Sequence, residues 1–130
     1  VPGWNILVVE DDPLLGMLLV DVLVGMGHEV CGLETNAADA VRGAASWQPD
    51  LLLVDMRLGA GSGIDAVTAI RSTRPIPYLY MTGGDIPVGG PDDIVLSKPF
   101  MAAELRDAIE RVLACSGGGL GHARAPVVMP

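Results

Sequence analysis

The chain has 130 residues, 16 acidic and 8 basic, for a formal net charge of −8. That length holds one domain, and half the residues are hydrophobic with a mean hydropathy of +0.44, enough to build a core. The acidic balance argues against nucleic acid or an anionic membrane as direct partner, and no apolar run reaches the roughly 18 residues of a bilayer span. Seven of the eight bases are arginine, and Lys98 is the sole lysine.

Residues 5–9 (NILVV) read as a first strand, rich in β-branched side chains and ending at acids. Asp12-Pro13 is a cap-then-proline start for a helix over 14–26, which Gly27 stops. Residues 29–33 form a short second strand, and Asn36 caps a helix over 37–47 that ends before Pro49. The run LLLV (51–54) is continuously apolar, as in a strand buried on both faces. Ser62 or Gly63 opens a helix with Ile64, Val67 and Ile70 on one side, stopped by Pro75. Residues 78–81 and 94–96 are the fourth and fifth strands. Residues 100–114 form the last helix, with Leu105, Ile109 and Val112 on one stripe. Strand–helix alternation predicts an α/β fold with a parallel sheet.

Residues 83–93 break the alternation. They carry four glycines and two prolines, each glycine costing about 1 kcal/mol and each proline about 3 in a helix. A loop, or at most one helical turn, is expected there. The domain is expected over 1–115, and residues 116–130 read as a flexible Gly- and Pro-containing tail.

The start, Val1-Pro2-Gly3-Trp4, has no basic region and no apolar core, so no secretory signal is read. Cys31 and Cys115 lack framework spacing and read as small buried hydrophobes of a reducing, cytoplasmic compartment, with a disulfide between them as the alternative. Trp4 and Trp47 read as packing residues, and His28 and His122 as surface residues. The helix over 14–26 has more apolar residues than one buried stripe needs. Either it is tightly packed throughout, or it exposes an apolar patch for a kinase helical bundle or a second copy of the chain.

Ligands of an open parallel sheet bind beyond the carboxyl ends of its strands. Those ends carry Glu10-Asp11-Asp12, Asp55, Thr82 and Ser97-Lys98-Pro99, each group from a different strand. Crowded carboxylates repel unless a cation sits among them, and oxygen donors favour a hard ion such as Mg²⁺. An aspartate beside such an ion can attack phosphorus, with a lysine and a hydroxyl to meet phosphoryl oxygens. Taken singly, the acid run reads as a solvated turn, with Asp12 as helix cap.

Taken together, ILVVEDD (6–12), LLLVDMRLGAGSG (51–63), MTGG (81–84) and SKPF (97–100) resemble the response-regulator receiver domain of two-component signalling. The resemblance covers residues 5 to about 114. It implies a flavodoxin-like sheet of order 2-1-3-4-5 with helices on both faces, and Asp55 as phosphoacceptor. It implies Mg²⁺ held by Glu10, Asp11, Asp55 and the backbone carbonyl of Arg57. It further implies Thr82 as switch hydroxyl, Lys98 as the phosphoryl-binding lysine, and a cis Lys98–Pro99 peptide. The expected partner is a histidine kinase or histidine phosphotransfer domain, with output by protein contact or onward phosphotransfer. The domain is expected to be a phosphoacceptor with slow self-dephosphorylation and not an enzyme.

The segment 77–83 (PYLYMTG) also resembles the P-F-x-F-A-T-G-Y signature of the FAT GUY receivers, commonly stand-alone regulators. Tyrosines replace both phenylalanines, Met81 replaces Ala, and Gly84 replaces the final Tyr. Glu10 stands where Asp is common. Gly59 stands where many receivers have Pro, which is expected to loosen that loop. Val95 stands where many have an aromatic switch, so Tyr80 or Tyr78, on the same strand face as Thr82, is the candidate substitute. Three alternatives remain at this level. They are a haloacid-dehalogenase-type phosphatase, whose D-x-D at the first strand end is missing here; a receiver-like binding module that takes no phosphoryl group; and one receiver cut from a hybrid kinase.

Overall fold

The computed structural model describes residues 3–84 and 93–120, with side chains described through 114. Strands β1 (Asn5–Val9), β2 (Glu29–Glu34), β3 (Leu51–Asp55), β6 (Tyr78–Thr82) and β7 (Val95–Ser97) form one sheet. Its order is β2-β1-β3-β6-β7 and every pairing is parallel, so in order of main-sheet strands it is 2-1-3-4-5. This is the flavodoxin-like arrangement. A two-stranded antiparallel hairpin, β4 (Arg57–Leu58) and β5 (Gly61–Ser62), stands apart from it.

Period-two alternation sorts the strand side chains into two cores. Ile6, Val8, Leu51, Leu53, Leu79 and Met81 point to one face. There they meet Leu19 and Leu23 of α1 (Pro13–Gly25) and Leu105, Ile109 and Val112 of α4 (Ala102–Leu120). Leu7, Val9, Leu52, Val54 and Tyr80 point to the other, against α2 (Ala37–Trp47) and α3 (Gly63–Arg71). β3 sits centrally and all five of its residues are buried, which explains why its sequence is apolar without alternation.

Side-chain caps fix the helix starts. The Leu14 and Leu15 N–H groups donate to Asp12 Oδ1 (3.0 and 3.3 Å), and the Asp39 N–H donates to Asn36 Oδ1 (2.8 Å). The Ile64 and Asp65 N–H groups donate to Ser62 Oγ (3.1 and 3.3 Å). α3 also begins at a forced glycine. A Cβ on Gly63 would lie 1.9 Å from the Asp55 carbonyl oxygen, so only glycine lets the helix start this close to β3.

Several expectations are corrected. α4 runs to Leu120, taking in residues read as the start of the tail. Adding residues to an established helix closes one hydrogen bond each, and here that outweighs the glycine cost. Trp47 is 55% exposed, because it ends α2 beside the edge strand β2, where no other element among the described residues covers it. His28 is half-buried, and its Nδ1 accepts the backbone N–H of Trp4 at 3.1 Å. Trp4, as expected, packs in the α1/α4 core. Cys31 is half-buried, with its thiol 3.6 Å from the Ile6 carbonyl oxygen, and burial pushes its pKa up. Most of 83–93, residues 121–130, His122 and the Cys115 side chain lie outside the described residues.

Candidate functional site

The sheet delivers the polar residues to one edge and holds their backbone there. The ladder continues one residue past each strand, through Glu10 N–H to Glu34 O (2.9 Å), Met56 N–H to Met81 O (2.8 Å) and Lys98 N–H to Thr82 O (2.8 Å). Glu10, Asp55 and Thr82 are the buried polar residues among those described. Carboxylate oxygens of Glu10, Asp11 and Asp55 lie within 4.8 Å of one another.

Lys98 reaches into this group from the far side of the sheet edge. Its Nζ donates to Asp55 Oδ2 at 2.6 Å and to Glu10 Oε1 at 2.7 Å. The second oxygens are also engaged: Asp55 Oδ1 accepts the Arg57 N–H (3.1 Å) and Glu10 Oε2 accepts the Asp12 N–H (3.1 Å). Burial pushes the Glu10 carboxyl above the usual range, against the pull of Lys98 and the Asp12 N–H. Burial alone would lower the Lys98 pKa, but its bonds to Asp55 and Glu10 outweigh that and raise it. One ammonium among three carboxylates leaves the cluster two negative charges in excess.

Thr82 Oγ1 accepts the Gly84 N–H at 3.0 Å, and the Lys98–Pro99 peptide is cis. Asp11, Asp55, Arg57, Gly59, Thr82 and Lys98 share the lining of an open cleft of about 780 Å³. The sequence reading missed the β4–β5 hairpin, since two-residue strands carry no periodicity. Glycines on both sides of Ala60 were the available turn signal. Gly59, read as a loosening substitution, carries a further contact that its position in the sequence did not indicate: its N–H donates to Asp11 Oδ2 at 2.8 Å.

Val95 pairs in register with Tyr80, so the two side chains are neighbours on the α2/α3 face. Tyr80 is buried, and its ring meets Tyr78 edge-on at 5.3 Å between centroids. Burial pushes its phenol pKa well up. Tyr78 donates its hydroxyl to Asp93, and the Arg71 guanidinium lies 4.8 Å from the Tyr78 ring centroid. Beyond the cleft, α1 leaves Leu14 and Met17 more than 60% exposed, with Leu18 and Val24 above 50%. Their spacing of three and four residues makes one solvent-facing stripe, interrupted by Asp21.

Residues 6–110 match the family described as response regulator receiver domain. The chain belongs to that family. Receiver relatives include the phyllosphere-induced regulator PhyR of Methylorubrum extorquens, 33% identical over 84% of this chain and 43% of its own length. The chemotaxis protein CheY of Thermotoga maritima is 29% identical over 85% of this chain and 98% of its own. The chain thus spans less than half of the PhyR relative and nearly all of the CheY one. Among solved structures, the PhyR receiver domain of Erythrobacter litoralis superposes with a TM-score of 0.76 at 32% identity, covering 87% of this chain and 92% of that one. The receiver membership displaces the dehalogenase-type alternative. No helix among the described residues is long and apolar enough to cross a membrane.

Proposed function

We propose that this receiver takes a phosphoryl group from a phosphohistidine onto Asp55 with Mg²⁺ bound. The observation that carries the proposal is Lys98 Nζ bridging Asp55 and Glu10 at 2.6 and 2.7 Å, beside Thr82. The donor set fits the ion: three clustered carboxylates offer hard oxygens, and their excess negative charge calls for a divalent cation. Glu10, Asp11, Asp55 and the Arg57 carbonyl would hold it. When bound, Mg²⁺ neutralises charge on the phosphoryl oxygens. An Asp55 carboxylate oxygen forms the bond to phosphorus as the phosphorus–nitrogen bond breaks, and the imidazole keeps the electron pair. Lys98 leaves the carboxylate for a phosphoryl oxygen, and the Thr82 hydroxyl donates to another. The test is beryllofluoride with Mg²⁺, followed by fluorine NMR. A bound signal in the wild type that disappears in Asp55→Asn is expected, and no bound signal in the wild type refutes the proposal.

The expected donor is a histidine kinase or histidine phosphotransfer domain, docking on the exposed apolar stripe of α1. Output by protein contact is supported by likeness to a Bartonella quintana PhyR described as an anti-anti-sigma factor, at 26% identity and a TM-score of 0.80. That structure is covered to 50% and this chain to 90%. Tyr80 stands in for the missing aromatic at Val95, filling the space beside it from the neighbouring strand.

A further inference from the structure

Gly59 is the first central residue of the two-residue turn joining Leu58 to Gly61, and its φ is +59°. Ala60, the second, is not among the positive-φ residues, which is the pattern of a type II′ turn with glycine first. Proline, fixed near φ −65°, cannot occupy that place and has no N–H to give. In such a turn the N–H of the first central residue is not used by the hairpin ladder. Here it faces Asp11 and donates to Oδ2 at 2.8 Å across 48 residues of sequence. The hairpin behind it is anchored. Leu58 is buried, the Gly63 N–H donates to Met56 O at 2.9 Å, and the Arg57 N–H holds Asp55 Oδ1. Asp11 itself is exposed, so no surrounding core fixes its carboxylate.

We infer that Gly59 is a positioning residue for the cation. Its N–H holds one oxygen of the exposed Asp11 carboxylate and leaves the other for Mg²⁺, tying the β4–β5 hairpin to the metal site. This rests on the reading of the cleft as a Mg²⁺ site. Orienting partners of metal ligands are worth about 10–100-fold in affinity.

The test is Mg²⁺ titration of the free chain, followed through the Thr82 and Arg57 amide resonances. Gly59→Pro, folded as judged by its amide spectrum, is expected to bind Mg²⁺ about tenfold more weakly. Ala60→Gly loosens the same turn but keeps the Gly59 N–H, and is expected to titrate as wild type. Equal affinity in Gly59→Pro, or equal weakening in Ala60→Gly, overturns the inference. Should Gly59→Pro not fold, hydrogen exchange of the wild-type Gly59 amide decides. Protection both free and Mg²⁺-saturated is expected, and its absence in either state overturns the inference. A wild type that binds no Mg²⁺ refutes the cation reading itself. A binding wild type with an indifferent Gly59→Pro refutes only the role of Gly59.

Discussion

His28 shows how one misplaced side chain becomes a measurable quantity. Its Nδ1 accepts the backbone N–H of Trp4, so the fold needs that nitrogen unprotonated, and burial lowers its pKa from 6.5. With a depressed folded value, the native state binds fewer protons than the unfolded one just below pH 6.5. Stability is therefore lost as pH falls from 6.5 through the folded pKa. The expected outcome is a denaturation midpoint that drops on acidification more steeply in the wild type than in His28→Gln. Equal slopes, or an NMR titration of His28 at or above 6.5, would contradict it. His28 was misread because its burial depends on the first strand crossing beside it, which nothing near position 28 encodes. Asp55, Thr82 and Lys98 were legible for the opposite reason. Each ends an apolar strand, and parallel strands bring their carboxyl ends to one edge. Gly59 could be read only as backbone freedom, since its donor role depends on where Asp11 lies.

Among the elements, α1 separates most clearly into a buried and an exposed part. Gly16, Leu19 and Leu23 face the sheet, while Leu14, Met17, Leu18 and Val24 face solvent. Composition alone left packing and docking open, because both predict a greasy helix. The fold shows the second stripe exposed, because one sheet face covers only one stripe of the helix. Single lysine substitutions at Leu14, Met17 or Leu18 are expected to change stability by less than about 0.5 kcal/mol. They are expected to lower phosphotransfer from a histidine kinase at least about tenfold, the effect of losing an interface anchor near 1.4 kcal/mol. Labelling by acetyl phosphate should stay intact. Unchanged kinase transfer would remove docking from this face, and a shift in sedimentation would assign it to a second copy of the chain. β3 and α2 were read to within a residue, because continuous apolar runs and an Asn cap are strong local signals. The β4–β5 hairpin and the end of α4 were not, because the first is too short for periodicity and the second continues through glycines.

Across the whole molecule, the sheet order 2-1-3-4-5 was not contained in the alternation of strands and helices. It came from the receiver resemblance, and the two side-chain cores show why it is stable: each strand divides its apolar residues between two helix pairs. The charge has an address as well. Glu10, Asp11, Asp55 and the sole lysine meet at one sheet edge, within an otherwise mildly acidic surface. That meeting underlies the proposal that Asp55 is a Mg²⁺-dependent phosphoacceptor. The most direct measurement is incubation with acetyl phosphate and detection of the added phosphoryl mass, with and without Mg²⁺. One phosphoryl group on the wild type with Mg²⁺, none after chelation and none on Asp55→Asn is the expected result. A wild type that stays unlabelled with Mg²⁺, or an Asp55→Asn chain that labels equally, would contradict it.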